Sequence, residues 1–153
     1  MEYRQYRDTD LHKVIDLFYQ TVHEVNKNDY TEDQLDAIAP KEANEYHWQK
    51  SLEKNYTIVV EDNDEIIAFG NIGKTGYLDR LYVSPDHLRE GIATKLVDQL
   101  ESYAKKHDSY VINVTSSITS KPFFESLGYH VIEEQINERR GERIFRYLME
   151  KHI

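Results

Sequence analysis

The stretch from Leu78 to Ala104 limits what this chain can fold into more than any other. Leu78, Leu81, Tyr82 and Val83 form an apolar, partly β-branched run, and Ser84-Pro85-Asp86 ends it with turn chemistry. After Gly91 the apolar positions are Ile92, Ala93, Leu96, Val97, Leu100, Tyr103 and Ala104. Their spacings of three and four predict a helix. Strand, short loop and helix in that order set the first helical turn beside the strand's end. That turn has backbone N–H groups without intrahelical partners, and the helix dipole favours an anion in front of them. Gly91 and Ala93 carry almost no side chain, so a phosphate oxygen can come close to the backbone. The same small residues would also serve a tight packed turn.

Two familiar phosphate loops do not fit. A Walker loop needs four residues between its glycines and then Lys-Ser/Thr, which is absent, and the dinucleotide fingerprint needs three glycines where Gly91 stands alone. Leu81-Tyr82-Val83-Ser84-Pro85 followed by Leu88-Arg89-Glu90-Gly91-Ile92-Ala93 instead resembles the acetyl-CoA-binding motif of the GNAT superfamily of acyl-CoA-dependent N-acyltransferases. That motif reads Gln/Arg-x-x-Gly-x-Gly/Ala at a helix start, after a strand ending in a "YV-x-P" phrase. Gly91 and Ala93 match, and Leu88 departs where the family usually has Gln or Arg. The departure removes one polar side chain and leaves the main-chain donors in place. Glu90 brings a like charge near the phosphates, which His87, Arg89 and Lys95 would offset. The resemblance implies an acetyl-CoA site at Leu81, Tyr82, Val83, Leu88, Arg89, Glu90, Gly91, Ile92, Ala93 and Thr94, with Ser117 and Phe124 beside the cofactor arm.

The rest of the chain supplies a frame for this stretch. Met1 to Arg7 can form a strand, and Asp8-Thr9-Asp10 offers N-caps for a helix with Leu11, Val14, Ile15, Phe18, Val22 and Val25 on one face. Thr31 and Gln34 fit a capping box for a short second helix that Pro40 ends, and a third helix covers Ala43 to Lys54. Tyr56 to Glu61 and Glu65 to Gly73 read as a hairpin, Tyr110 to Val114 as a strand, and Ser117 to Ser126 as a helix that Gly128 terminates. Val131 to Asn137 and Arg143 to Met149 close the chain as a second hairpin. The expectation is a single α/β domain over residues 1–153, with a mixed, mostly antiparallel sheet and helices on both faces. The resemblance covers Tyr56 to about Met149 and implies that the strands before Gly91 and at Tyr110 splay apart around the pantetheine. Leu11 to Leu52 corresponds only in helix content, in the region where such proteins shape the acceptor site.

Acetyl transfer to an amine needs a neutral amine, a polarised thioester carbonyl and a proton for the departing sulfur. Asp79, two residues before Leu81, and Tyr30, just before the capping box, are the expected catalytic side chains, with Glu24 and His47 as further candidates for the base. Asp79 could equally be a solvated strand residue or a partner for Arg80. In the family a Tyr often sits four residues before the Gly of a Gly-Phe/Tyr pair and protonates the thiolate. Here the pair is Gly128-Tyr129 and the earlier residue is Phe124, which has no proton to give. Water or a nearby phenol, Tyr129 or Tyr30, is the expected substitute.

Composition excludes several other classes. With no cysteine, thiolate metal sites and a Cys nucleophile are ruled out; the 7 histidines are scattered with no i, i+4 pair, so no metal is expected. A formal charge of −9 argues against nucleic acid and anionic membrane as partners. There is no apolar run long enough to span a membrane, and Met1-Glu2-Tyr3-Arg4 does not begin a signal peptide, so the cytoplasm is the expected location. Ile144, Phe145, Tyr147 and Met149 make the last strand apolar, and an open edge there predicts a homodimer. The expected function is acetyl-CoA-dependent acetylation of a primary amine on a small molecule or peptide. The alternative, motivated by Phe124, is a non-catalytic acyl-CoA-binding or regulatory domain.

Overall fold

The computed structural model describes residues 1–153, and its elements follow the expected order. They are β1 (Glu2–Gln5), α1 (Leu11–Val25), α2 (Glu32–Ile38), α3 (Glu45–Lys54), β2 (Tyr56–Asp62), β3 (Glu65–Ile72), β4 (Tyr77–Val83), α4 (Ile92–Lys106), β5 (Val111–Ser117), α5 (Lys121–Ser126), β6 (His130–Arg139) and β7 (Glu142–His152). The seven strands form one sheet in the order β1-β2-β3-β4-β5-β7-β6. Every neighbouring pair is antiparallel except β4 and β5, which run parallel. No helix is long and apolar enough to cross a membrane.

Helices cover both faces, which is why the central strands read as nearly continuous apolar runs. In β2, Ile58 and Val60 face α4, where they meet Leu96, Leu100 and Ala104, while Val59 between them faces Trp48 and Leu52 of α3. A third cluster joins Val22 of α1 and Leu35 of α2 to Ile144 of β7. The capping box at α2 forms as expected: Gln34 N donates to Thr31 Oγ1 at 3.2 Å, and Thr31 N donates to Gln34 Oε1 at 2.9 Å.

Several boundaries differ from the sequence reading. β5 runs on to Ser117, and α5 starts only at Lys121, because Ser117 and Ser120 lock the intervening corner through mutual backbone-to-hydroxyl bonds of 3.1 and 3.0 Å. α3 starts at Glu45, where Asn44 Oδ1 accepts from His47 N at 3.0 Å. The last strand, β7, is not an open edge. It lies between β5 and β6, so the free edge on that side belongs to β6. Nor does Asp10 cap α1; its carboxylate turns back to β1 and accepts from both Nη1 and Nη2 of Arg4 at 2.9 Å each, and from Arg7 N at 2.8 Å.

The feature that creates a site is the join of β4 and β5. They pair only at Tyr77 with Asn113 and at Leu78 with Val114, and then diverge. The start of the pair is stitched: Asn113 N donates to Gly76 O at 2.9 Å, and Tyr77 OH donates to Thr115 Oγ1 at 3.1 Å. Gly76 has φ +91° and sits against the carbonyl of Val111, so no other residue fits there. A slip in the β3–β4 register, with Asn71 opposite Arg80 but Ile72 opposite Leu78, leaves Asp79 as an unpaired bulge residue just where the splay begins.

Asp10 is 4 % exposed and ties β1 to the entry of α1. Burial pushes its pKa up, but the Arg4 guanidinium outweighs that and holds the carboxyl below the ordinary range. A lowered folded-state pKa contributes stability above the unfolded value of about 4, and that contribution is lost as pH falls through the folded value. Asp10→Asn should therefore cost about 1–3 kcal/mol in urea titrations at pH 7. The gap from the wild type should narrow on acidification; a gap independent of pH would contradict this account.

Candidate active site

The splay opens a cleft of about 680 Å³ between β4 and β5, roofed by the start of α4 and by α5. Its walls are partly backbone. β4 bonds to β3 along its outer edge and β5 to β7 along its own, so the facing edges are left without strand partners past Leu78 and Val114. Leu81, Tyr82 and Val83 line one wall, and Ser116 and Ser117 the other.

The roof is built by an irregular loop. Ser84 Oγ accepts from Asp86 N at 3.3 Å and opens a single helical turn over Pro85–His87. Leu88 is extended, Arg89 takes φ +63°, and Gly91 takes φ +79° as the N-cap of α4. The first helical bond runs from Lys95 N to Gly91 O, so the amides of Ile92, Ala93 and Thr94 have no partner inside the helix. Left-handed residues next to a helix start gather N–H groups into a concave anion-binding surface. A Cβ at Gly91 would meet nothing within 4 Å; glycine is needed there for its conformation, and the space before the helix is open.

The cleft gathers most of the residues the sequence singled out. Asp79, Leu81, Tyr82, Val83, Leu88, Arg89, Gly91, Ile92, Ala93, Thr94, Ser117 and Phe124 all line it. Glu90 does not; it turns to His87, with Oε1 3.3 Å from Nδ1. Lys95 also leaves the phosphate region, its Nζ lying 4.1 Å from the ring centre of Tyr3. Tyr30 is not among the lining residues. Its hydroxyl donates to Phe145 O and accepts from Ile118 N, both at 2.9 Å, and burial raises its pKa. Tyr129 is likewise committed, donating to Glu101 Oε2 at 2.7 Å with its ring 3 % exposed. Neither phenol is free to protonate a thiolate. Phe124 stands against the cleft, packed edge-on to Phe123 and Tyr129 at 5.2 and 5.3 Å between ring centres.

At the far end, around the bulge, the lining becomes polar. Asp79 Oδ2 accepts from Ser51 Oγ at 3.1 Å, and Arg80 Nη1 donates to that same Oγ at 2.6 Å. Arg80 lies 3.9 Å from the ring centre of Trp48, in cation–π contact, and burial lowers its pKa although Asp79 pulls the other way. Tyr82 is wedged between Phe18 and Phe69, and burial pushes its phenol up to about 12. Along the cleft as a whole, α1 and the turn after it contribute Thr21, Val25 and Asn26. Sequence reasoning named Arg80 only as a partner for Asp79 and passed over Thr21 and Asn26. The available signal was a threonine inside the apolar stripe Phe18–Val22–Val25, where a hydroxyl has no packing reason to be.

A family model, the acetyltransferase (GNAT) domain, matches residues 26–151. The chain belongs to the GNAT acetyltransferase family. It is similar to the uncharacterized N-acetyltransferase YafP of Escherichia coli K12, at 29 % identity covering 92 % of this chain and 89 % of that one. Among solved structures, a GCN5-related N-acetyltransferase from Rhodopseudomonas palustris superposes with TM-score 0.95 at 24 % identity, over 99 % of this chain and 95 % of that one. The PaiA N-acetyltransferase of Thermoplasma acidophilum, solved with coenzyme A, gives 0.76 at 16 % identity over 99 % and 98 % of the two chains. The acetyltransferase thus has the mixed, mostly antiparallel sheet with one parallel pair that its motif implied.

Tyr30, though outside the cleft, holds its end together by joining the loop after β5 to β7. Tyr30→Phe leaves the half-buried Ile118 N–H without its acceptor and should cost about 1–3 kcal/mol by urea titration. An unchanged midpoint would show that the phenol does not carry this corner.

Proposed function

We propose that this acetyltransferase moves an acetyl group from acetyl-CoA to a primary amine of a small molecule or peptide, using the splayed cleft as the meeting place. The observation that supports the reading best is the division of one cleft into two ends. One end presents backbone donors and apolar walls, and the other presents Asp79 and Arg80. The open space before Ile92 and the unpartnered amides of the first α4 turn fit a pyrophosphate. The unpaired edge of β4 at Leu81 and Val83 fits pantetheine amides, as a strand accepts an added strand. When bound, acetyl-CoA supplies an acyl group already activated as a thioester, so positioning accounts for much of the acceleration.

In the transfer an N–C bond forms and a C–S bond breaks, while the amine gives up one proton and the sulfur gains one. Asp79 is the group we assign to hold the ammonium and take its proton. Its carboxylate is about one-third exposed and is oriented by Ser51, so it can release the proton to solvent. Main-chain N–H groups of β4 would polarise the carbonyl. With Tyr30 and Tyr129 engaged elsewhere, the sulfur would take its proton from water or from the Ser117–Ser120 hydroxyl pair, whose oxygens are 2.9 Å apart. The rival reading, a binding domain without turnover, rests on Phe124, which brings an inert ring to the place where a donor is expected.

Gly91→Trp should weaken acetyl-CoA binding by about 1–3 kcal/mol in calorimetry, because it combines left-handed strain with bulk in the open space. Gly91→Ala, which adds mostly strain, should bind more nearly like the wild type. Unchanged affinity in Gly91→Trp, with CoA release from no amine in a broad panel, would sink the assignment. Phe124→Tyr separates the two readings of the missing acid. General acid assistance is worth ~10²–10⁴-fold where leaving-group protonation limits the rate. With a hydroxyl pair and water already at hand, we expect no more than about a tenfold rise in kcat. A rise of several hundredfold would favour the binding-domain reading of the natural chain.

A further inference from the structure

The end of the cleft away from α4 holds more positive charge than acetyl transfer to a simple amine requires. Resting on the acetyl-transfer reading above, we propose that the acceptor is of amino-acid type: the molecule that carries the amine also carries a carboxylate a few bonds away. Arg80 grips that carboxylate and thereby sets specificity.

The argument starts from the hydrogen bonds Arg80 does not make. Both of its bonds to protein leave from Nη1, to Ser51 Oγ at 2.6 Å and to Asp79 Oδ2 at a long 3.5 Å. Nε and Nη2 donate to no protein group. The side chain is only 16 % exposed, yet neither of these nitrogens is sealed from solvent, so both can be reached through the cleft that Arg80 lines. Its plane is fixed by the face of Trp48 and its roll by Ser51, so what it offers the cleft is a rigid fork with free donors. A planar fork matches a carboxylate with two parallel bonds, which an ammonium could not do.

Arg139, at the end of β6, adds positive potential at both Arg80 and Tyr82 in a chain whose formal charge is −9. Asp79 and Arg80, adjacent on the bulge, then offer a negative and a positive group side by side. That is the complement of a molecule bearing an ammonium and a carboxylate close together.

The test is a ratio. For glycine, alanine, glutamate and lysine, each paired with its α-carboxamide, kcat/KM is measured in the full chain with acetyl-CoA. The amide has the less basic amine, so reactivity alone favours it. We expect the acid to win by about 10- to 100-fold in at least one pair, the usual worth of a charge-assisted bidentate contact. Arg80→Met should bring the ratio to one or below, and Arg80→Lys should keep only part of the preference. A ratio of two rate constants does not depend on how much enzyme is folded, so partial loss of structure at Trp48 cannot imitate the result. A wild-type ratio at or below one in every pair, or a ratio unaltered in Arg80→Met, overturns the proposal. So does a preference for phosphoethanolamine over all four acids, which would assign the fork to a phosphate. If no amine releases CoA, the acetyl-transfer reading fails by itself. Arg80 is then judged by calorimetry of N-acetylglycine and N-acetylglutamate against their amides on the CoA-loaded protein, where equal affinities overturn it.

Discussion

Everything functional in this molecule depends on two parallel strands that pair for two residues and then part. A gap inside a sheet is expensive, since it exposes backbone donors and acceptors that would otherwise bond across. It persists because each strand is anchored on its far side, β4 by five positions to β3 and β5 by seven to β7. The near end is stitched at Gly76 and Tyr77, and Tyr30 braces the far end between Ile118 and Phe145. The opening is therefore a rigid slot rather than a frayed edge, and a ligand that adds to it need not first order the protein.

The bulge at Asp79 gives the slot its chemistry. An unbroken alternation along β4 would send Asp79 and Arg80 to opposite faces. The slipped register instead lets both reach Ser51 of α3, so two opposite charges arrive at one end of the cleft on adjacent residues. Neither charge is free to collapse fully onto the other, because Trp48 holds the guanidinium plane and the contact between them stays at 3.5 Å. α3, in the part of the chain that resembled its family only in helix content, supplies these constraints. In the proposed assignment its side chains shape the acceptor end, while the α4 end works mostly through main chain.

That difference explains what was legible beforehand. The order of elements, the strand–loop–helix unit and the capping box at Thr31 are local, written in periodicity and turn residues, and they were readable. The residues proposed for the cofactor side, Leu81 to Thr94, follow from the same local pattern, since the role assigned to them is to aim backbone groups. The direction of Lys95 was not legible because its partner, Tyr3, is distant in sequence, and that of Glu90 because the irregular loop turns it to His87. Tyr30 was misjudged for the same reason. Its phenol looked available, but residues 88 and 115 positions away occupy both sides of it. The acceptor end was the least readable part. Asp79, Arg80, Ser51 and Trp48 come from two segments with no common spacing, and the register slip that unites them leaves no mark in composition.

Phe124 can be weighed against this background. A phenol in its place would have its oxygen among Phe123, Tyr129 and the cleft, and the chain has instead kept an apolar ring that is 3 % exposed. Packing is a sufficient reason for that choice, since α5 is only six residues long and Phe124 is its buried anchor. The short helix also has few other ways to hold Ser117 and Ser120 in their paired geometry beside the cleft. An aromatic anchor that stabilises the serine corner, leaving proton delivery to hydroxyls and water at that corner, is consistent with both the missing phenol and an intact catalytic cleft. The demand on the sulfur side is modest in any case, because a thiolate is a far better leaving group than an alkoxide or amide. The heavier demand falls on the amine, which must lose its proton before it can attack, and that is the task the proposed role of Asp79 assigns to its partly exposed carboxylate.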